Sequence, residues 1–253
     1  MNHWPTRKRQ AEVADVLVVQ HTADCPPARV GQWLEAAGCR LDVRRCYDGD
    51  PLPLDLTGHD GLLVLGGAMG ADDDDQFGWL GPTKRLLSEA VRRDLATLAI
   101  CLGLQLLAVA EGGSVAPAAA GPQVGLQPVC PTAAAVDDPL FGALRRAPAG
   151  SLLAAHWNND VVTAAPSGAV ALAVTDAGPQ AFRLGHNVWA VQFHPEVDAE
   201  ILRVWAAADV AAGLLDPGLA EDRLAAVAAA DDGLVRSWRA MTQRFAGVVR
   251  CPA

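Results

Sequence analysis

The first hundred residues alternate between short apolar runs that lack a polar/apolar alternation and segments whose apolar positions recur at helical spacing. Asp15–Gln20 (Asp-Val-Leu-Val-Val-Gln) reads as a strand buried on both faces, as in a parallel sheet. Pro26-Pro27 then opens a helix through Val30, Trp33, Leu34 and Ala37, and Gly38 stops it. Leu41–Arg45 and Gly61–Leu65 are the next strands, with Pro51 and Pro53 punctuating the loop between them. A helix carrying Leu86, Leu87, Ala90 and Val91 leads to a strand at Leu95–Ile100. This order predicts a three-layer α/β architecture: a mostly parallel, open sheet with helices on both faces.

Beyond Ile100 an apolar helix runs to Glu111-Gly112-Gly113. Residues 114–150, rich in Ala, Pro and Gly, yield only short strands and loops. Val170–Val174 and Pro179–Leu184 look like strands of a meander, and Asn187–Val191 is strand-like. After Glu196 helical periodicity dominates. It passes through Ile201, Val204, Trp205 and Ala208, then Leu214–Ala230, then Leu234, Trp238, Met241 and Phe245, which pack most simply as C-terminal helices over the sheet. Residues 1–253 are expected to form a single domain, with 1–14 a flexible polar leader.

Composition narrows the functions available. The 253 residues are 51% hydrophobic and 19% charged, as in an ordinary globular chain, and the net charge is −9. Without a dominant basic patch, no nucleic-acid partner is expected. The basic cluster Arg7-Lys8-Arg9 is followed by Glu12 and Asp15, not by a signal-peptide apolar region, and the longest apolar stretch falls short of a membrane span. Six cysteines (25, 39, 46, 101, 130 and 251) show no Cys-x-x-Cys spacing, which fits a reduced, cytoplasmic protein better than a disulfide scaffold or a zinc site. The acid run Asp72–Asp75 reads as a solvated loop ahead of a helix.

The candidate chemistry centres on Leu98-Ala-Ile-Cys101-Leu102-Gly103-Leu104-Gln105, where a strand turns directly into a helix with Cys101 at the junction. Such an elbow presents a nucleophile, Gly103 lets the helix pack closely behind it, and the helix N-terminus favours a thiolate. A buried core cysteine would give the same run. Gln192-Phe193-His194-Pro195-Glu196 shifts the balance, because a nucleophilic thiol needs a histidine to take its proton and a carboxylate to orient that histidine. His194 and Glu196, two apart, project from one side of an extended segment, and Pro195 stiffens the pair. After the third strand, Gly66-Gly67-Ala68-Met69-Gly70 is either a tight turn or a loop that turns backbone N–H groups towards a cleft.

Ala-Ile-Cys-Leu-Gly-Leu-Gln and Gln-Phe-His-Pro-Glu, in that order and about 90 residues apart, resemble the motifs of the class I (triad-type) glutamine amidotransferases. The likeness is to free-standing members similar to the glutaminase domain of GMP synthase. It implies catalytic roles for Cys101, His194 and Glu196 and an oxyanion hole from the Gly67 and Leu102 amides. It also implies glutamine contacts around Met69, Gln105, Asn158, Asp160, Gln180, Ala181 and Phe182, largely through backbone along Gln180-Ala181-Phe182. It implies an antiparallel extension of the sheet from residues 114–150, no cofactor or metal, and a synthetase partner that receives ammonia. Relatives usually carry Gly at Ala99, Pro at Ala68, and His-Gly at Asn158-Asn159. Asn158 is either drift or a changed specificity, since an amide cannot carry charge as an imidazole can. Two other functions stay open: a stand-alone γ-glutamyl amide hydrolase using the same three residues, and a non-catalytic regulatory or binding subunit.

Overall fold

A computed structural model describes residues 13–146 and 152–251. Most of the expected leader, 1–12, lies outside the described residues, as does the stretch 147–151. The elements in chain order are β1 (Ala14–Gln20), α1 (Ala28–Ala36), β2 (Cys39–Arg45), β3 (Gly61–Val64), α2 (Leu80–Arg93), β4 (Thr97–Ile100) and α3 (Leu102–Ala110). They are followed by β5 (Ser114–Pro117), β6 (Gln123–Pro128), β7 (Cys130–Pro131), β8 (Leu153–Asn158), β9 (Asp160–Ala164), β10 (Val170–Thr175), β11 (Gly178–Leu184), β12 (Val188–Val191), α4 (Ala199–Ala211) and α5 (Pro217–Arg250).

Eight strands form one sheet in the order β2-β1-β3-β4-β12-β11-β10-β7. The pairings from β2 through β12 are parallel, and those of β11, β10 and β7 are antiparallel. Strand periodicity distributes the core between the two faces. Val16, Val18, Leu63, Leu65, Leu98, Ile100, Trp189 and Val191 pack with residues of α1, α4 and α5. Leu17, Val19, Leu62, Val64, Ala99, Val188 and Ala190 pack with α2 and α3. This is why the central strands read as unbroken apolar runs: both of their faces are covered.

The structure departs from the sequence reading in three places. Helix α1 starts at Ala28 with Pro27 as its cap, and Gly38, at φ 87°, ends it as expected. The expected extension of the sheet from 114–150 shrinks to the two-residue β7. Strands β5 and β6 instead pair with β9 and β8 as separate two-stranded ladders. The periodicities at Leu214–Ala230 and at Leu234–Phe245 belong to one 34-residue helix, α5, which begins only at Pro217 behind the Asp216 cap. Leu219 N–H donates to the Asp216 carboxylate at 3.0 Å, and Pro217 sits in the first turn, where its missing N–H is harmless.

The acid run is a folded loop, as read. Asp73 accepts from Gly70 N–H at 2.7 Å, and Asp74 pairs with Lys84. No group of residues with metal-binding composition occurs among the described residues, and no described helix is long and apolar enough to cross a membrane. The central strands place the ends of β3, β4 and β12 side by side, and the loops that leave those ends carry the candidate chemistry.

Candidate active site

Cys101 occupies the single residue between β4 and α3. Its backbone adopts φ 52° and ψ −106°, a region disfavoured for any residue with a Cβ. Two backbone bonds hold it there. Its N–H donates to Val191 O at 2.8 Å, and its carbonyl accepts from Gln105 N–H at 3.1 Å. Gly103 permits the elbow, because a Cβ at that position would stand 2.5 Å from the Val64 carbonyl oxygen of β3. Only glycine lets α3 leave the sheet this abruptly, so the close packing read from the sequence is realised.

The neighbouring strand β12 delivers the second group. His194 N–H donates to Ala155 O at 2.8 Å, anchoring the segment beyond β12. The His194 Nδ1 lies 2.7 Å from Glu196 Oε1, with both side chains almost completely buried. A carboxylate at Nδ1 makes that nitrogen the donor and leaves Nε2 as the ring's proton acceptor. Nε2 has no hydrogen-bond partner among the described residues. The ring stands edge-on to Trp205, with centroids 4.8 Å apart.

His194 and Cys101 both approach Gly66. A Cβ on that glycine would lie 3.0 Å from His194 Cε1 and 3.5 Å from Cys101 Cβ. The two residues line one cavity of about 180 Å³, together with Gly67. Burial, the strongest single influence on the His194 ring, would push its pKa down. The Glu196 carboxylate and the charge of the Cys101 sulfur outweigh burial and raise it above the ordinary histidine value.

A family model for glutamine amidotransferase class-I matches residues 29–202, the segment that carries both Cys101 and His194. The chain belongs to this family. It is 33% identical over 168 residues to a glutamine-hydrolyzing GMP synthase subunit of Halobacterium salinarum, covering 62% of this chain and 82% of that protein. It is 28% identical over 167 residues to gamma-glutamyl peptidase 5 of Arabidopsis thaliana, covering 65% of each. In fold it is similar to a glutamine amidotransferase from Methylobacillus flagellatus, with a TM-score of 0.78, 24% identity, and coverage of 92% of this chain and 94% of that one.

The remaining residues that the family likeness singled out divide into three groups. Gly67 lines the cavity, and a Cβ on it would meet Leu102 Cδ2 at 3.0 Å and Met69 Sδ at 3.1 Å. The Gly67 loop is thus pressed against the start of α3, with Met69 supporting it from behind. A second group forms a buried amide network. Gln105 Nε2 donates to Asp160 O at 2.9 Å and approaches Gln192 Oε1 at 3.4 Å. Asn158 Nδ2 donates to Asp160 O and to Gln123 Oε1, both at 3.1 Å.

The third group lies within β11. Gln180 is fully buried, and Ala181 and Phe182 place their side chains in the core. Met69, Gln105, Asn158, Asp160, Gln180, Ala181 and Phe182 do not line the cavity.

Further residues to which the sequence gave no role surround the thiol. Gln192 Nε2 reaches Cys101 Sγ at 3.5 Å, linking the thiol to the amide network. Asp24, Trp157, Trp205 and Asp209 line the cavity with Gly67, Cys101 and His194. Gln192 stands two residues before His194 on an extended segment, which is a same-side signal. Trp205 and Asp209 are four apart on one helix, so they share a face. In the sequence, Trp205 was indistinguishable from a core residue.

Proposed function

We propose that the chain hydrolyses the side-chain amide of glutamine through a γ-glutamyl thioester on Cys101 and supplies the released ammonia to an acceptor-activating partner. The observation that carries this reading is the pairing of Glu196 with His194 Nδ1, in a histidine that lines one cavity with Cys101 and whose opposite nitrogen has no partner among the described residues. His194 Nε2, its proton affinity raised despite burial, holds the proton given up by the thiol while the Cys101 sulfur attacks the amide carbon. The Gly67 and Leu102 amides hold the developing oxyanion. As the C–N bond breaks, the same proton passes from Nε2 to the leaving nitrogen, releasing ammonia. Water then cleaves the C–S bond, with His194 removing its proton, to give glutamate and free thiol. Glu196 holds the ring orientation and stabilises the imidazolium throughout. No step needs a cofactor, and the free state of all six cysteines supports action in a reducing cytoplasm.

A second reading keeps the same chemistry but changes the leaving group: a stand-alone hydrolase that releases an amine from a γ-glutamyl amide. The Asp209 carboxylate, on a residue that lines the cavity, favours it, and one relative is named a peptidase. Ammonia and amine release from glutamine and from γ-glutamyl amides, measured for the wild type and for Cys101→Ala, test both readings. Turnover by the wild type and none by the variant is expected. Undiminished turnover by Cys101→Ala rejects the proposal.

A further inference from the structure

Two tryptophans and two aspartates line the cavity that Cys101, His194 and Gly67 share. Trp157 and Trp205 meet with centroids 6.2 Å apart and planes at 59°, forming a corner. Both indole N–H groups are already committed. Trp157 Nε1 donates to Asp209 Oδ2 at 2.8 Å, and Trp205 Nε1 donates to Asp24 O at 2.9 Å. What these rings offer a ligand is therefore their apolar and π faces.

The Asp209 carboxylate is held in place by the Trp157 indole, and its second oxygen, Oδ1, carries no hydrogen bond among the described residues. No lysine or arginine among the described residues lines the cavity. His194, 4% exposed and with Nε2 lacking a hydrogen-bond partner among the described residues, lines the same space and packs against the same Trp205. The cavity thus sets the reacting pair, Cys101 and His194, beside an aspartate and two indoles, Asp209, Trp157 and Trp205.

We infer that Asp209, flanked by Trp157 and Trp205, receives an ammonium group of the substrate; this rests on the γ-glutamyl amide reading of Cys101 and names what the adjoining wall recognises. A carboxylate fixed beside indole faces attracts a cation through charge and through the ring quadrupole, and it repels an anion. A γ-glutamyl amide can supply that ammonium from either half: the α-amino group of the glutamyl half, or a second amine on the leaving half. Asp209→Asn is the informative change, because its amide oxygen can still accept the Trp157 N–H while the charge is removed.

The experiment compares the wild type and Asp209→Asn on four substrates: glutamine, γ-glutamyl butylamide, γ-glutamyl 4-aminobutylamide, and the Nα-acetyl form of the butylamide. If the α-ammonium is recognised, the KM of the variant rises about tenfold on the three substrates with a free α-amino group, and the acetylated amide is handled alike by both proteins. If the leaving amine is recognised, the wild type prefers the aminobutyl amide over the butylamide by about tenfold, and the variant loses that preference. A second readout needs no turnover. Butylammonium should slow alkylation of Cys101 by iodoacetamide in the wild type but not in Asp209→Asn, whereas butanol should have no effect in either.

Butylammonium protection in a protein that turns over none of the four substrates would leave this inference standing while the proposed function fell. Equal KM values for both proteins on every substrate, with no selective protection by butylammonium, would overturn it.

Discussion

Among single residues, the proposed chemistry depends on a strained cysteine and a histidine that carries one bond too few. Cys101→Ala removes the nucleophile without disturbing the two backbone bonds that hold the elbow, so activity should be lost while circular dichroism and Tm stay near wild type. Glu196→Gln leaves the His194 ring without its carboxylate. In the folded protein His194 is raised above its unfolded value of about 6.5. The stabilisation from that shift is therefore fully present below about pH 6.5 and is lost as pH rises through the raised folded value.

Glu196→Gln should then narrow its stability deficit relative to wild type as pH rises through that window, and it should lower kcat by about two orders of magnitude. Denaturant titrations at a series of pH values, beside initial-rate kinetics, check both. A deficit that does not change with pH would mean that the carboxylate does not hold the imidazolium.

Residues were the level at which the sequence was most legible. Cys101, His194 and Glu196 could be singled out because few arrangements need a thiol at an elbow and a stiffened His-Pro-Glu together. Asn158 was less legible. Its fate was decided by Gln123, a partner 35 positions away, and by the Asp160 carbonyl, neither of which local pattern announces.

Among the elements, two devices fix the geometry. The first is the contact of α3 with β3 at Gly103. Adding a Cβ 2.5 Å from the Val64 oxygen forces either the helix or the strand to move, so Gly103→Ala should destabilise by about 1–3 kcal/mol. It should also depress activity more than its stability loss explains, because Cys101 rides on the displaced turn. Thermal unfolding paired with the rate of the folded fraction tests this.

The second device is Asp138, a buried carboxylate that no local pattern marks. It accepts from the Trp189 indole, Arg183 Nε, and the Leu140 and Phe141 N–H groups, all within 3.2 Å. It thereby ties the turn after β7 to β11 and β12. Asp138→Ala strips a half-buried guanidinium and a buried indole of their acceptor and should cost about 3 kcal/mol, read from the denaturant midpoint.

The strands and helices of the first hundred residues were readable because burial on both faces leaves an unbroken apolar run. The pairings of β5 to β9 were not readable. Short Ala- and Pro-rich strands carry little periodicity, and their partners are far away in sequence.

Across the molecule, the long helix α5 closes one face of the sheet. Trp238, Met241 and Phe245 enter the core, and Arg29 of α1 forms a two-pronged pair with Asp231. The sequence showed its apolar stripe but broke it at the alanine-rich middle, where few side chains are large enough to mark a face.

Two histidines set the response of the fold to acid. His21 and His156 are buried, and desolvation is the leading cause that lowers each to about 4. A base lowered on folding contributes its full stability above the unfolded value of about 6.5, and loses it as pH falls towards the folded value. The wild type should therefore lose stability steadily between about pH 6.5 and 4. His156→Phe, which fits a ring already packed 6.0 Å from Phe193, should flatten that limb. An unchanged acid limb in the variant would place the acid sensitivity elsewhere.

Everything proposed for the site requires Cys101 to carry the γ-glutamyl group during turnover, and acid-quenched mass spectrometry of the protein during steady-state turnover of glutamine detects that group directly. A γ-glutamyl adduct is expected on the peptide containing Cys101, present in the wild type, absent from Cys101→Ala, and lost when the quenched sample is treated with hydroxylamine. Steady glutamine hydrolysis by Cys101→Ala, or an adduct found on another cysteine such as Cys25, would refute the assignment.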